Sequence, residues 1–265
     1  MHDKLTGRFQ RVEVNDHFLD EMSGLQAWFI GFMAADGCVK DETFFSISQS
    51  GERGLGLILE IKKMLNYNGK TYTNLNGHSI QICSKPIVQK LKEFNIVPRK
   101  SLIYEFPEQF VHNDLLDYFM RGYIDGDGSV GYYHTGTTNV LCLSFVGTEK
   151  FILRFHEITD HAFRPRKIKS ATNLYEARYY GERAIKFGRW LWGRSGVPSY
   201  YKEEKFREVE QSQRPKYVVY DEIRGRVFDL IQGGCKPMDA ARRLGIPFQS
   251  VYRWIKTGRL IQPQG

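Results

Sequence analysis

Two aspartates, Asp36 and Asp127, each followed by glycine, close two stretches of the same pattern. Residues 27–37 read AWFIGFMAADG and residues 118–128 read YFMRGYIDGDG. In register, Gly31 matches Gly122, Ala35 matches Gly126, and Gly37 matches Gly128. Read as helices, Gly31 and Ala35 share one face, Ala27 extends that stripe, and Gly122 and Gly126 repeat it. A mid-helix glycine costs about 1 kcal/mol relative to alanine. A cost repeated at matched positions fits two helix backbones packed closer than the usual spacing of roughly 8–10 Å. If the helices run parallel, two carboxylates meet at the negative ends of two helix dipoles, an arrangement that asks for a cation. Mg²⁺ is commonly held by one or two carboxylates with water and phosphate oxygens. A metal so held hydrolyses phosphodiesters by activating water and stabilising the leaving oxygen. Copy two also contains Asp125, but Ala34 stands at that place in copy one, so the symmetric pair is Asp36 and Asp127.

The surrounding text supplies the elements that must hold these residues. After the first copy come the strand-like FFSISQS, the amphipathic helix ERGLGLILEIKKML, the strand-like KTYTNL and HSIQICS, and a helix at about 86–94. After the second come SVGYYH and VLCLSFV, a helix from about Glu149, RKIKSA and LYEARYY, and a helix near 182–192. This order predicts an α+β chain of two αββαββα halves, 1–105 and 106–210. Beyond Arg214 the text changes. YDEIRGRVFDLIQGG, KPMDAARRLGI and PFQSVYRWIKTG read as three helices with glycine stops and Pro247 near the start of the last. They predict a small all-α, helix-turn-helix-like DNA-binding domain over 217–265, with the polar EVEQSQRPK as linker. Its second helix would present Gln249, Ser250, Arg253 and Lys256 to a major groove. Val251, Tyr252, Trp254 and Ile255 are candidates for its core contacts, though not all can face inward.

Charge supports a polyanionic partner. Of the net +8 over 265 residues, residues 1–150 carry 15 Lys/Arg and 18 Asp/Glu, residues 151–213 carry 13 and 8, and residues 214–265 carry 10 and 4. Four scattered cysteines without a CxxC pair argue against a disulfide framework or a zinc site. The N-terminal text has no apolar signal-like run, and the longest apolar stretch, around 25–35, is too short for a membrane span. The expectation is a cytoplasmic protein associated with nucleoid, phage or organelle DNA, with no membrane partner.

AWFIGFMAADG and FMRGYIDGDG resemble the two signature motifs of the LAGLIDADG homing endonucleases, and the resemblance covers about residues 20–210. It implies two halves related by pseudo-twofold symmetry, motif helices at their interface, and a sheet from each half forming a saddle on DNA. It implies double-strand cleavage across the minor groove of a long specific target, by one chain acting as a pseudo-dimer. It implies two or three Mg²⁺ ions, with Mn²⁺ as a substitute, held by Asp36 and Asp127; the main chain at Ala35 is left open as a further ligand. The first copy departs from the family pattern at Phe29, Ala34 and Ala35 and spares the acid.

The family often places a lysine late in each half, which points to Lys100 in IVPRKSLIYEFP and Lys202 in VPSYYKEEKF, with Lys205 a rival to Lys202. Such a lysine would polarise water or steady the scissile phosphate. On the saddle, regular pairing puts Ser46, Ser48 and Ser50 on one face and Phe45, Ile47 and Gln49 on the other. The second half offers Arg166, Lys167, Lys169, Arg178 and Tyr180 as DNA contacts. The rival readings are a non-cleaving transcription regulator and an intron maturase on the same fold. Loss of an acid would favour either, and both acids are present. The sequence has no P-loop, no GxGxxG after a strand and no catalytic-triad motif. A free-standing or intron-borne gene, suited to intron homing, is expected over an intein.

Overall fold

The computed structural model describes residues 12–134, 139–160, 162–198, 201–258 and 260, with backbone alone at 134 and 212–222. The chain divides into two compact units, 1–207 and 208–265. The first unit repeats one arrangement. Its first half runs α1 (Gly24–Ala35), β1 (Gly37–Val39), β2 (Phe44–Gln49), α2 (Gly51–Met64), β3 (Tyr72–Asn74), β4 (Gly77–Cys83) and α3 (Lys85–Glu93). The second runs α4 (Leu116–Asp127), β5 (Gly128–His134), β6 (Asn139–Thr148), α5 (Glu149–Ile158), β7 (Arg166–Lys167), β8 (Leu174–Tyr180) and α6 (Glu182–Leu191). The expected order αββαββα therefore occurs twice. The short β1 was hidden in the sequence, because Asp36-Gly37 read as a helix stop.

Each half forms a four-stranded antiparallel sheet, ordered β1-β2-β4-β3 and β5-β6-β8-β7. The motif helices lead directly into the strands at one edge of each sheet. Strand register makes the halves comparable residue by residue. Gly37 faces Ile47 and Gly128 faces Phe145, so Ile47 corresponds to Phe145 and Gln49 to Gly147. Alternation decides the faces: Phe45 and Ile47 are fully buried, while Ser46 is half-buried and Ser48 exposed on the opposite side. Local capping fixes the helix starts. The hydroxyls of Ser23, Ser84 and Thr148 accept from the backbone N–H of Leu25, Ile87 and Phe151.

Packing of α1 on α4 joins the halves. Residues Ala27 to Ala34 of α1 are all buried, as befits a helix apolar on every side. A Cβ built on Gly31 would lie 1.9 Å from the Phe119 carbonyl oxygen, and one on Gly122 would lie 1.9 Å from that of Trp28. Further along, a Cβ on Gly126 would lie 2.4 Å from the Ala35 Cβ. The helices thus touch backbone to backbone, with no volume for a side chain at either central glycine. The two polar partners crossing this seam are unlike: Trp28 Nε1 donates to Asp125 Oδ2 at 2.8 Å, whereas the matching places hold Phe119 and Ala34.

The sequence-predicted linker over 208–216 is instead part of α7 (Tyr201–Gln232), which runs from the first unit into the second. Glu, Gln, Arg and Lys are good helix formers, but Pro215 in the same segment costs about 3 kcal/mol in a helix interior, so propensity alone does not account for the continuous helix. In the second unit, α8 (Pro237–Arg243) and α9 (Phe248–Lys256) follow, joined by a turn with Gly245 at φ 63°. Val227, Ala241, Val251 and Trp254 form the unit's core, with Ile231, Leu244 and Ile246 against it. Tyr252 and Ile255 point outward instead. Cys38, Cys83, Cys142 and Cys235 are free thiols. Among the described residues no helix is long and apolar enough to cross a membrane.

Gly31→Leu or Gly122→Leu forces the side chain into backbone, which a rotamer change cannot relieve. Each should cost at least ~3 kcal/mol, the upper end of ordinary overpacking. Thermal unfolding should drop by about 6–12 °C; a melting temperature within about 2 °C of wild type would contradict the close contact.

Candidate active site

The α1–α4 contact delivers Asp36 and Asp127 to adjoining helix ends. Asp36 caps α1, its N–H donating to the Phe32 carbonyl, and Asp127 is the last residue of α4. Asp36 receives a hydrogen bond from Gln49 Nε2 at 2.7 Å on its Oδ2. The register equivalent of Gln49 is Gly147, which brings no side chain, so this donor has no counterpart in the second half. Asp127 opens to solvent, yet protein atoms crowd its carboxylate. That desolvation, and then the charge of Asp36, push its pKa up to about 6, against the pull of Lys100 and Lys202. A polar cleft of ≈ 430 Å³ beside Asp36 is lined by Ser48, Gln49, Ser50, His78 and Ser79.

Each motif helix ends on a buried lysine. Lys100 sits in a single 3-10 turn (Lys100–Leu102) entered through Arg99 at φ 61°, and its Nζ donates to the Ala35 carbonyl at 2.9 Å. Lys202, in the first turn of α7, donates to the carbonyls of Ile124, Asp125 and Gly126 at 2.8, 2.7 and 2.6 Å. Three carbonyl acceptors match the three hydrogens of an ammonium, placed where a helix C-terminus favours positive charge. Burial pushes Lys202 down to about 8, against the pull of Asp125, Asp36 and Asp127, so the ammonium still predominates at neutral pH. Burial likewise lowers Lys100, against Asp127 and Asp36. Lys205 is exposed on α7, which separates it from its buried neighbour.

Asp125 does not join the pair. It is buried and turned to Trp28, and burial pushes its pKa up to about 7. Arg121 is a residue beside the site that sequence reasoning passed over. It lies buried in α4 and donates to the carbonyls of Arg194 and Pro198, each at 3.1 Å, and to Glu203 at 2.8 Å. It thereby ties α4 to the turn of α7 that carries Lys202. The signal was a lone arginine inside an otherwise apolar motif, FMRGYI.

The sheet candidates divide. Arg178 lies on the half-buried face of β8 opposite Ala177 and Tyr179, and Arg166, paired with Glu176, shares it. Lys167 alternates to the other face, and Lys169 lies in the turn beyond β7. On α9, Gln249, Arg253 and Lys256 are exposed and Ser250 is half-buried.

The fold is that of the LAGLIDADG homing endonucleases. The meganuclease I-SmaMI, solved on uncleaveable DNA with a TTCT central four, superposes with a TM-score of 0.51 at 11% identity, covering 71% of this chain and 90% of that one. The LAGLIDADG homing endonuclease I-GzeII, in complex with its DNA target, gives 0.51 at 13% identity over 73% and 92%. The LAGLIDADG meganuclease I-AabMI, bound to uncleaved DNA, gives 0.50 at 15% over 74% and 92%. No protein-family model matches the sequence, and no curated protein matches it.

The raised carboxylate at Asp127 has a stability consequence. Its unfolded value is near 3.8 and its folded value about 6, so the folded chain holds more protons between those limits. Stability therefore falls as pH rises through that window. Asp127→Asn removes the ionisation, so in chelator it should melt above wild type at about pH 8, with the gap closing toward about pH 4. Equal melting at the higher pH would show that Asp127 carries no electrostatic strain.

Proposed function

We propose that this chain is a site-specific double-strand DNA endonuclease of the homing type, hydrolysing phosphodiesters across the minor groove. The observation that carries this reading is the convergence of Asp36 and Asp127 at the ends of two glycine-packed helices, each end neutralised by a buried lysine. Two like charges so placed favour a divalent cation, and hard carboxylate oxygens suit Mg²⁺, with Mn²⁺ as a substitute. Among the described residues no three His, Cys, Asp or Glu side chains converge, so the two carboxylates would hold the metal together with substrate phosphate and water. The cation would supply charge stabilisation and a more acidic water. Lys100 and Lys202 hold the helix ends that carry the acids and add positive potential toward the scissile phosphates. One chain contains both acids and so serves one target as a monomer with an internal pseudo-dimer. The DNA partner is supported by I-SmaMI, I-GzeII and I-AabMI, each solved on DNA.

The second unit is assigned as an accessory DNA reader. The exposed Gln249, Arg253 and Lys256 lie on one short helix whose Val251 and Trp254 anchor it to the unit's core. A turn of four residues separates α8 from α9, as in a helix-turn-helix.

Cleaved ends recovered from a randomised duplex pool, with Mg²⁺ or with chelator, test the catalytic reading. One long site class should be cut, and only with the cation. Asp36→Asn and Asp127→Asn should each lower double-strand cleavage at least ~10²-fold, the scale of losing one preorganised charge-stabilising group, while binding changes little. Asp125→Asn should stay within a few-fold of wild type, because the amide oxygen still accepts from Trp28. Tight specific binding without cutting under Mg²⁺ or Mn²⁺ would favour the regulator reading instead.

For the tail, Arg253→Ala with Lys256→Ala should weaken binding and flatten its salt dependence by about one phosphate contact per residue removed. Unchanged affinity and slope would take the second unit out of the interface.

A further inference from the structure

We infer that Arg178 reads a guanine in the half-site facing the second sheet, and that Glu176 is the residue that positions it; this rests on the endonuclease reading and on DNA lying against the sheet face that carries Arg178. Along β8, Ala177 and Tyr179 are buried in the core, while Glu176, Arg178 and Tyr180 alternate to the opposite face. Arg178 does not hang free there. Its Nε donates to Glu176 Oε1 at 2.7 Å, its Nη2 lies 2.7 Å from the same oxygen, and its Nη1 donates to the Tyr180 hydroxyl at 3.3 Å. A guanidinium has five N–H hydrogens. Those three contacts leave one on each terminal nitrogen, the pair that matches guanine O6 and N7 in a major groove.

Glu176 makes the arrangement more than a surface ion pair. Its carboxylate is nearly buried, with 10% of its side chain exposed against 32% for Arg178. Taking a carboxylate out of water is costly and rarely repaid in stability alone. A side chain already fixed before binding loses less rotamer freedom on contact. A buried acid that orients one half-exposed arginine on a sheet face therefore has the character of a specificity device.

The first half supplies the contrast. Ser144 faces Arg178 in β6–β8, and the equivalent Ser46 faces Gln81 in β2–β4, so Gln81 holds the place of Arg178. By the same register Ser79 holds the place of Glu176. Gln81 is exposed on the corresponding face, and glutamine suits adenine N6 and N7 where arginine suits guanine. The two half-sites then differ at equivalent positions, guanine on one flank and adenine on the other. Each lies two strands out from the motif helices, ~10 Å at the usual strand spacing, and so a few base pairs from the cut.

Selection of bound duplexes from a randomised pool, with wild type, Arg178→Lys, Arg178→Gln and Glu176→Gln, tests this. Wild type should demand a G·C pair at one position of one half-site. Arg178→Lys keeps a charge for Glu176 but loses the fork, and should reduce the preference there roughly 10- to 100-fold. Arg178→Gln should move it toward A·T, with every other position unchanged. Glu176→Gln should blunt the same single preference and leave the preferences at every other position as in wild type, which a merely structural role would not do. If Arg178→Gln fails to fold, the lysine variant decides alone. A preference left intact by Arg178→Lys, or weakened equally at all positions, overturns the assignment. A wild-type chain without sequence preference would defeat the endonuclease reading itself.

Discussion

In the first unit, α1 and α4 approach until Gly31 lies against the Phe119 carbonyl and Gly122 against that of Trp28. Most of the architecture of residues 1–207 depends on that contact. Each helix leads without a loop into an edge strand, so fixing the helices fixes the inner edges of both sheets. It also brings Asp36 and Asp127 together at adjoining C-terminal ends, where helix dipole and like charge both oppose them. The fold answers with two lysines taken from outside the motifs. Lys100 comes from a strained 3-10 turn and Lys202 from the start of α7, each committed to main-chain carbonyls. They neutralise the ends of the motif helices; on the function proposed above, the carboxylates themselves would be left for a cation.

The repeat is symmetric in backbone and unequal in chemistry. Gln49 steadies Asp36 where Gly147 leaves Asp127 without an equivalent donor. Trp28 and Asp125 make a polar bond across the seam where Phe119 and Ala34 make none. The first sheet presents Ser46, Ser48, Ser79 and Gln81, and the second presents Glu176, Arg178 and Tyr180. A duplicated scaffold with different faces suits a target that is not a palindrome.

Much of this was legible in the residues. Matched glycines and Asp-Gly endings gave away the paired helices, because a glycine in mid-helix is costly unless something needs its missing Cβ. Alternation in FFSISQ put Phe45 and Ile47 on one face, and that face is the buried one. What stayed hidden depended on contacts between distant segments. Gln49 to Asp36 crosses 13 residues, Trp28 to Asp125 crosses 97, and Lys202 reaches carbonyls 76 to 78 residues away. Composition misled at 208–216, where a polar segment that includes Pro215 continues α7. Adjacent residues such as Arg166 and Lys167 were offered together, though strand geometry sends neighbours to opposite faces.

Asp36 and Asp127 of one chain are held to form a single centre that needs no second copy. Sedimentation of the cleavage-competent complex on its selected duplex, paired with the protein-concentration dependence of cutting, tests this most directly. One chain per duplex is expected, with both strands cut and a first-order dependence on protein. A complex of two chains as the sole active species would contradict it, for then Asp36 and Asp127 of one molecule would not suffice.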